Sequence, residues 1–343
     1  MTDNRSHFIR ENSGITELRE WASTAYLGVK EGLTYIAPFV EDQFLTQQSG
    51  ERTEPIGEVP DLADRWASIH ADVAVLVAPS AVVDKLAEPG DIRAVSRIHQ
   101  VVDTSRGAQD VMSQLSRREL KRRQQAEKDG FGYDVSHEDD HFFEFYRSMH
   151  VPTMRNRYGD KARSVDEEKA FRTLFQQGVL FRVHKSGEWV SGSVSQIDER
   201  SRTLNARLIG VKAGDDQYRS AGAQNFVYHA ILDWAAEEDG IDTVDFQGCE
   251  PFLTKGTFQY KKRFGTTAVI PANNFGDLRM LIRPKSLTPS VRRFLVNNPV
   301  LTEDATGALV AKYFHDKENA LRSDIPHSSP GINGKVIVDL DEL

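Results

Sequence analysis

Apolar positions recur at helical spacing in some stretches of the chain and run together in others, and that contrast predicts the elements. Ile15 to Tyr26 reads as a helix with Leu18, Trp21 and Ala22 on one face. Gln47 to Pro60 is rich in Gly, Glu and Pro and reads as a loop. The run Ala71-Asp72-Val73-Ala74-Val75-Leu76-Val77 reads as a buried strand, and Ser80 as the cap of a short helix reaching Leu86.

The middle of the chain is the most legible. Ser116 can cap a charged helix to about Asp129, which Gly130 ends. The strand Phe131 to Val135 follows. Phe142, Phe145, Tyr146 and Met149 then mark a helix that Pro152 should disrupt. Asp166 to Phe175 reads as another helix. The strands Val179 to His184 and Trp189 to Ile197 form a hairpin through Lys185-Ser186-Gly187-Glu188, and Thr203 to Val211 is a third strand. A long helix, about Ala221 to Glu238, carries the stripe Val227, Ile231, Trp234 and Ala235. Strand Ile241 to Phe246, a short helix near Thr257 to Phe264 and strand Thr266 to Ile270 complete the region. The tail beyond Pro284 is helical in places and, from about Ser323, polar and poorly ordered.

An antiparallel meander followed by a helical crossover implies a mixed, mainly antiparallel α/β sheet with helices on both faces. The 343 residues suit more than one domain. We divide them into 1–104, an accessory α/β domain, 105–285, the main domain, and 286–343, a C-terminal extension. The net charge is −8. By count, residues 1–104 hold about eight more acids than bases. Basic charge gathers in Arg117, Arg118, Lys121, Arg122 and Arg123, so a nucleic-acid partner would have to be met there. The single cysteine, Cys249, excludes an internal disulfide and suits a reducing compartment. The N-terminus is polar, without an apolar signal core, and no stretch is long enough to span a bilayer, so the expectation is a cytoplasmic protein with no membrane insertion.

The order of elements from about 116 to 270 resembles the acetyl-CoA N-acyltransferase (GNAT) topology. The word DFQGCEPFLTKGTFQYKKRFG, Asp245 to Gly265, resembles the C-terminal region of Fem-type aminoacyltransferases, where Phe-Lys-x-x-Phe-Gly follows a strand. Here that motif is Tyr260-Lys261-Lys262-Arg263-Phe264-Gly265, with tyrosine in place of phenylalanine. The upstream words MHVPTMRNRYG and SRRELKRRQQAEKDGFGYDV are similar to the same group. The resemblance covers roughly residues 105–270 and implies tandem GNAT-like halves with a degenerate first half. It also implies transfer of an aminoacyl group from aminoacyl-tRNA to an amine of a peptide, natural-product or envelope precursor. No long heptad arm is present, which speaks against a cell-wall acceptor.

Amine attack on an ester or thioester passes through an oxyanion, so the site must align the reactants, take a proton and hold negative charge. The resemblance points to Lys261 as the cation. Asp245, at a strand's end, and Glu250, in the next loop, are the carboxylate candidates. Arg219-Ser220-Ala221-Gly222-Ala223-Gln224 stands where acyl-CoA enzymes carry Arg/Gln-x-x-Gly-x-Gly/Ala before a helix. Gln224 breaks that pattern, which favours a donor other than CoA. Arg117, Arg118, Lys121 and Arg122 form adjacent i, i+4 rows suited to tRNA phosphates. Arg155, Arg157 and Tyr158 suit an acidic acceptor. Cys249 lacks a Cys-His context and reads as a small buried residue. No metal site is expected, since His137 and His141 straddle a loop-to-helix junction. The reading is an acyltransferase with no tightly bound cofactor, using aminoacyl-tRNA or, alternatively, acyl-CoA as co-substrate. A non-catalytic binding module on the same fold is the third reading.

Overall fold

A computed structural model describes residues 5–56, 62–159 and 164–343. In chain order the first strands are β1 (His7–Ile15), β2 (Trp21–Val29), β3 (Gln47–Ile56), β4 (Val73–Pro79), β5 (Ile92–Val95) and β6 (Ile98–Asp103). The central ones are β7 (Phe131–Ser136), β8 (Gly178–Lys185), β9 (Glu188–Asp198), β10 (Thr203–Val211), β11 (Thr243–Cys249) and β12 (Thr267–Val269). The last are β13 (Leu278–Pro284), β14 (Val300–Glu303), β15 (Leu309–His315) and β16 (Ile332–Asp339).

Two compact units are interleaved along the chain. One takes residues 1–98, 248–259 and 268–343, and the other takes 99–247 and 260–267. The chain thus returns to the first unit after building the second, an arrangement different from three successive segments.

The first unit holds a six-stranded sheet in the order β3-β1-β2-β4-β13-β5 and a three-stranded sheet β14-β15-β16. Ile15 to Tyr26 is a hairpin here, not a helix: β1 and β2 pair from His7↔Val29 to Ile15↔Trp21. The apparent helical stripe fails because Leu18 and Trp21 are exposed, whereas β2 is buried on both faces from Ala25 to Val29. Gln47–Ile56 is a strand, held to β1 by backbone pairing. Its polarity, read above as a loop, suits the exposed edge of a sheet. Residues 57–60 of that expected loop lie outside the described ones. The tail contains the helix Pro289–Asn297, capped by Thr288 Oγ1. Its end is ordered, because β16 pairs in parallel with β15.

The second unit is built on the strands β6-β11-β10-β9-β8-β7 of a seven-stranded sheet ordered β12-β6-β11-β10-β9-β8-β7. Strands β7 to β10 form the antiparallel meander, and β10 runs parallel to β11. The helix Ala223–Glu237 lies between β10 and β11 in the chain and makes the crossover. This is GNAT-type topology. The alternation along β8 shows helices on both faces: Val179, Phe181 and Val183 join Val227 and Ile231, while Leu180 joins Phe142, Phe145 and Phe175. The hairpin turn carries positive φ at both Ser186 (51°) and Gly187 (88°), as a tight two-residue connection needs. Pro152 does not end its helix. A π-helical turn at Tyr146–His150 precedes it, Pro152 falls in the first turn of Val151–Tyr158, and the helix continues.

Candidate functional site

Parallel pairing between β10 and β11 covers only Thr203↔Thr243, Leu204↔Val244 and Asn205↔Asp245. Beyond Asn205, β10 stays with β9 as far as Val211↔Ser191, so the ladder to β11 ends at Asp245. The chain gathers polar groups at this parting. Asp245 Oδ2 lies 2.7 Å from His99 Nδ1 on β6, the strand on the other side of β11. The other oxygen, Oδ1, accepts the Gln247 N–H at 2.6 Å. Gln247 Nε2 donates to Asn205 Oδ1 at 3.2 Å, and Asn205 Nδ2 donates to Gln196 Oε1 at 3.1 Å. Gln247 has φ 65°, a left-handed conformation that costs a non-glycine residue about 1–3 kcal/mol. That strained turn places its N–H on Asp245 and its carbonyl on Lys261.

Lys261 is 7% exposed, and its Nζ donates to Gln247 O at 2.9 Å. The rest of its motif explains how it is held. Tyr260 and Phe264 join Tyr228 and Phe246 in one aromatic cluster, with Tyr228 and Phe264 stacked at 4.8 Å. Gly265 has φ 72°, and a Cβ there would lie 2.6 Å from Gln114 Cβ, so the motif's last position needs glycine. The Arg263 carbonyl accepts the Ser116 N–H at 3.0 Å, tying the motif to the cap of the Arg117–Lys128 helix.

A second polar group lies under that helix. Glu119 is wholly buried. Its Oε1 accepts from Asn225 Nδ2 at 2.7 Å and lies 3.3 Å from His229 Nε2. Burial alone would raise the Glu119 carboxyl, but the facing His229 and the hydrogen bond from Asn225 outweigh it and hold the group below the usual range. Asn225 Nδ2 also donates to Tyr260 Oη at 3.2 Å. Burial, then the neighbouring Tyr228, push the Tyr260 phenol well up, so it stays neutral. Burial also lowers the Lys262 ammonium.

The structure therefore brings Asp245 and Lys261 together and adds His99, Asn205 and Gln247, which sequence reasoning missed. Nothing local marks His99, whose partner is 146 residues away. The Asp245-x-Gln247 spacing is the one signal that was readable. Glu250 belongs to the first unit and pairs with Lys255 at 3.0 Å. Cys249 lies in the first unit's apolar cluster with Leu253 and Phe258. Arg117, Arg118 and Lys121 are exposed and make no ion pair among the described residues, while Arg122 lies 3.5 Å from Glu119. Arg155 and Arg157 are exposed in the last turn of their helix. The side chain of Tyr158 lies outside the described residues. Arg219 pairs with Asp216 at 2.9 Å, and Ser220 is exposed. Gly222, at φ 95°, caps the helix that begins at Ala223, where Gln224 Oε1 is buried without a hydrogen-bond partner among the described residues. His141 is taken by Ser136 and Arg182, and the described residues hold no cluster of potential metal ligands. No described helix is long and apolar enough to cross a membrane.

No protein-family model matches the chain, and no curated protein does. Among solved structures, FemX is 11% identical, with 76% of this chain and 80% of that one covered and a TM-score of 0.42. The L-PGS of Bacillus licheniformis is 9% identical, with 83% and 87% covered and a TM-score of 0.40. A GCN5-related N-acetyltransferase-like protein from Streptococcus suis is 11% identical, with 80% and 83% covered and a TM-score of 0.31. These are distant likenesses of fold, and the fold assignment rests on the strand order and pairing of the chain itself.

Proposed function

We propose that the second unit transfers an aminoacyl group from its ester on tRNA to the nitrogen of an amine, forming an amide. The observation that carries this reading is that one strained residue, Gln247, holds Lys261 Nζ through its carbonyl and the Asp245 carboxylate through its N–H, where β10 and β11 part. A buried cation is worth more to a developing oxyanion than an exposed one, because water does not screen it. In this reading Lys261 holds the oxyanion, Asp245 serves the amine side, and Arg155 and Arg157 grip an acidic acceptor. Glu250, engaged by Lys255, takes no part.

The choice of tRNA is supported by the Arg117–Lys128 helix. Its first-turn acid, Glu119, is turned into the core, so the cations Arg117, Arg118 and Lys121 face outward without an acid among them. An acyl-CoA donor is the second reading. It draws on the left-handed Gly222 and small Ala223 at the start of a fifteen-residue helix, whose first N–H groups suit a pyrophosphate. The paired Arg219 and the intruding Gln224 weigh against it. Incubation with total aminoacyl-tRNA, with and without RNase, and separately with acetyl-CoA, tests the two. RNase-sensitive amide formation supports tRNA, and thiol release supports CoA. No amide with either donor sinks both and leaves a binding module on this fold.

A further inference from the structure

We propose that His99 is the general base of this site and Asp245 the residue that positions it; the proposal rests on the amide-forming reading above. Neither residue near the parting that could compete is suited to the task. Lys261 Nζ is held on the Gln247 carbonyl and, in the reading above, serves the oxyanion. Asp245 has both oxygens engaged, one by Gln247 N–H and one by His99. A carboxylate facing Nδ1 makes that nitrogen the protonated one, which leaves the lone pair on Nε2. Among the described residues, Nε2 of His99 has no hydrogen-bond partner. The pair is well enclosed, with 8% of the His99 side chain and 13% of the Asp245 side chain exposed. The other buried histidines of the unit are placed differently: His150 Nδ1 is bound to Ile209 O, and His229 lies against Glu119 beneath a helix.

The acceptor enters as an ammonium, and Nε2 of His99 takes one proton from it. The freed nitrogen pair forms the C–N bond at the acyl carbonyl. As the tetrahedral adduct collapses, the carbon–oxygen bond to the tRNA ribose breaks, or the carbon–sulfur bond if the donor is a thioester. The nitrogen gives its second proton to the departing oxygen or sulfur. The imidazolium, steadied by Asp245, returns its proton to water before the next cycle. Nothing is oxidised or reduced.

The test uses the full chain, with total aminoacyl-tRNA or acetyl-CoA as donor and lysine or a lysine-containing tripeptide as acceptor. His99→Gln is expected to lower the single-turnover rate by about 10²–10⁴ with KM little changed. Added imidazole is expected to restore part of the activity of His99→Ala, which also shows that the variant is folded. Asp245→Asn is expected to slow the reaction as well. A His99→Gln rate within about threefold of wild type, far short of a general base's contribution, overturns the proposal. Nitrogen-15 spectra of the histidine rings read the geometry without turnover. The His99 signal, assigned by its loss in His99→Gln, is expected to show the Nδ1–H tautomer, and Asp245→Asn is expected to abolish that preference. A ring protonated at Nε2 overturns the proposal. If the wild-type chain forms no amide with either donor, the functional reading fails and with it the base role, whereas the spectra still decide whether Asp245 sets the ring.

Discussion

Removing the Glu119 carboxylate by Glu119→Ala attacks the anchor beneath the basic helix. The carboxylate is fully buried and has three neighbours: Asn225 Nδ2 at 2.7 Å, His229 Nε2 at 3.3 Å and Arg122 Nη1 at 3.5 Å. The Asn225 bond ends on a charged acceptor, a type worth about 1.5–3 kcal/mol. His229 is 1% exposed, and leaving it without the carboxylate adds about 1–3 kcal/mol. Arg122 is partly exposed at a longer distance and adds little. The total is about 2.5–6 kcal/mol. For a domain of this size that lowers Tm by about 5–24 °C. Glu119→Gln keeps an acceptor for Asn225 and is expected to lose less than half as much. The acid side supplies an independent readout. Glu119 titrates below its ordinary value of 4.5 in the fold, so as pH falls the unfolded chain takes up its proton first. Its contribution is therefore whole above about pH 4.5 and is lost as pH drops through the depressed folded value. The wild-type chain should show that acid-side slope, and Glu119→Gln should flatten it. Urea titrations at neutral pH and between pH 3 and 5 measure both effects. A Glu119→Ala cost below about 1 kcal/mol, no larger than one ordinary hydrogen bond, refutes the reasoning.

If tRNA phosphates meet the exposed cations, replacing Arg117, Arg118 and Lys121 by alanine should weaken tRNA binding and flatten the salt dependence. Each lost contact should remove about 0.7–0.9 from the slope of log K against log salt, and an unchanged slope would dissociate this helix from the donor. Gly210→Ala should destabilise the second unit by about 1–3 kcal/mol through overpacking, as read by urea unfolding. The added Cβ would stand 2.6 Å from the backbone nitrogen of His150, which cannot swing away as a flexible side chain could.

The middle of the chain was legible because its signals are local. Ser116 caps its helix by accepting Glu119 N–H, and Ser186-Gly187 bends the hairpin, both within a few residues of where the sequence marks them. The first unit was harder for a physical reason. Its central strand β2 is buried on both faces and so loses the alternation that marks a strand, while the exposed Trp21 imitates a helical stripe. The edge strand Gln47–Ile56 is polar from Gln47 to Glu54 and is held by backbone pairing that no side-chain pattern reveals. Two of the five site residues were readable. Lys261 came from the resemblance and Asp245 from its place at a strand's end. His99 became visible only when β6 paired beside β11. The role of Glu119 was hidden because a lone acid in a basic run looks solvated, and only packing shows that it points inward.

The most direct measurement compares wild type with Lys261→Ala in single-turnover amide formation from aminoacyl-tRNA. An ammonium that holds the oxyanion predicts a fall of about 10²–10³ in the rate of the chemical step, with donor binding retained. A variant that turns over as fast as wild type would mean that this cation merely braces the Gln247 turn, and the account of the site would be contradicted.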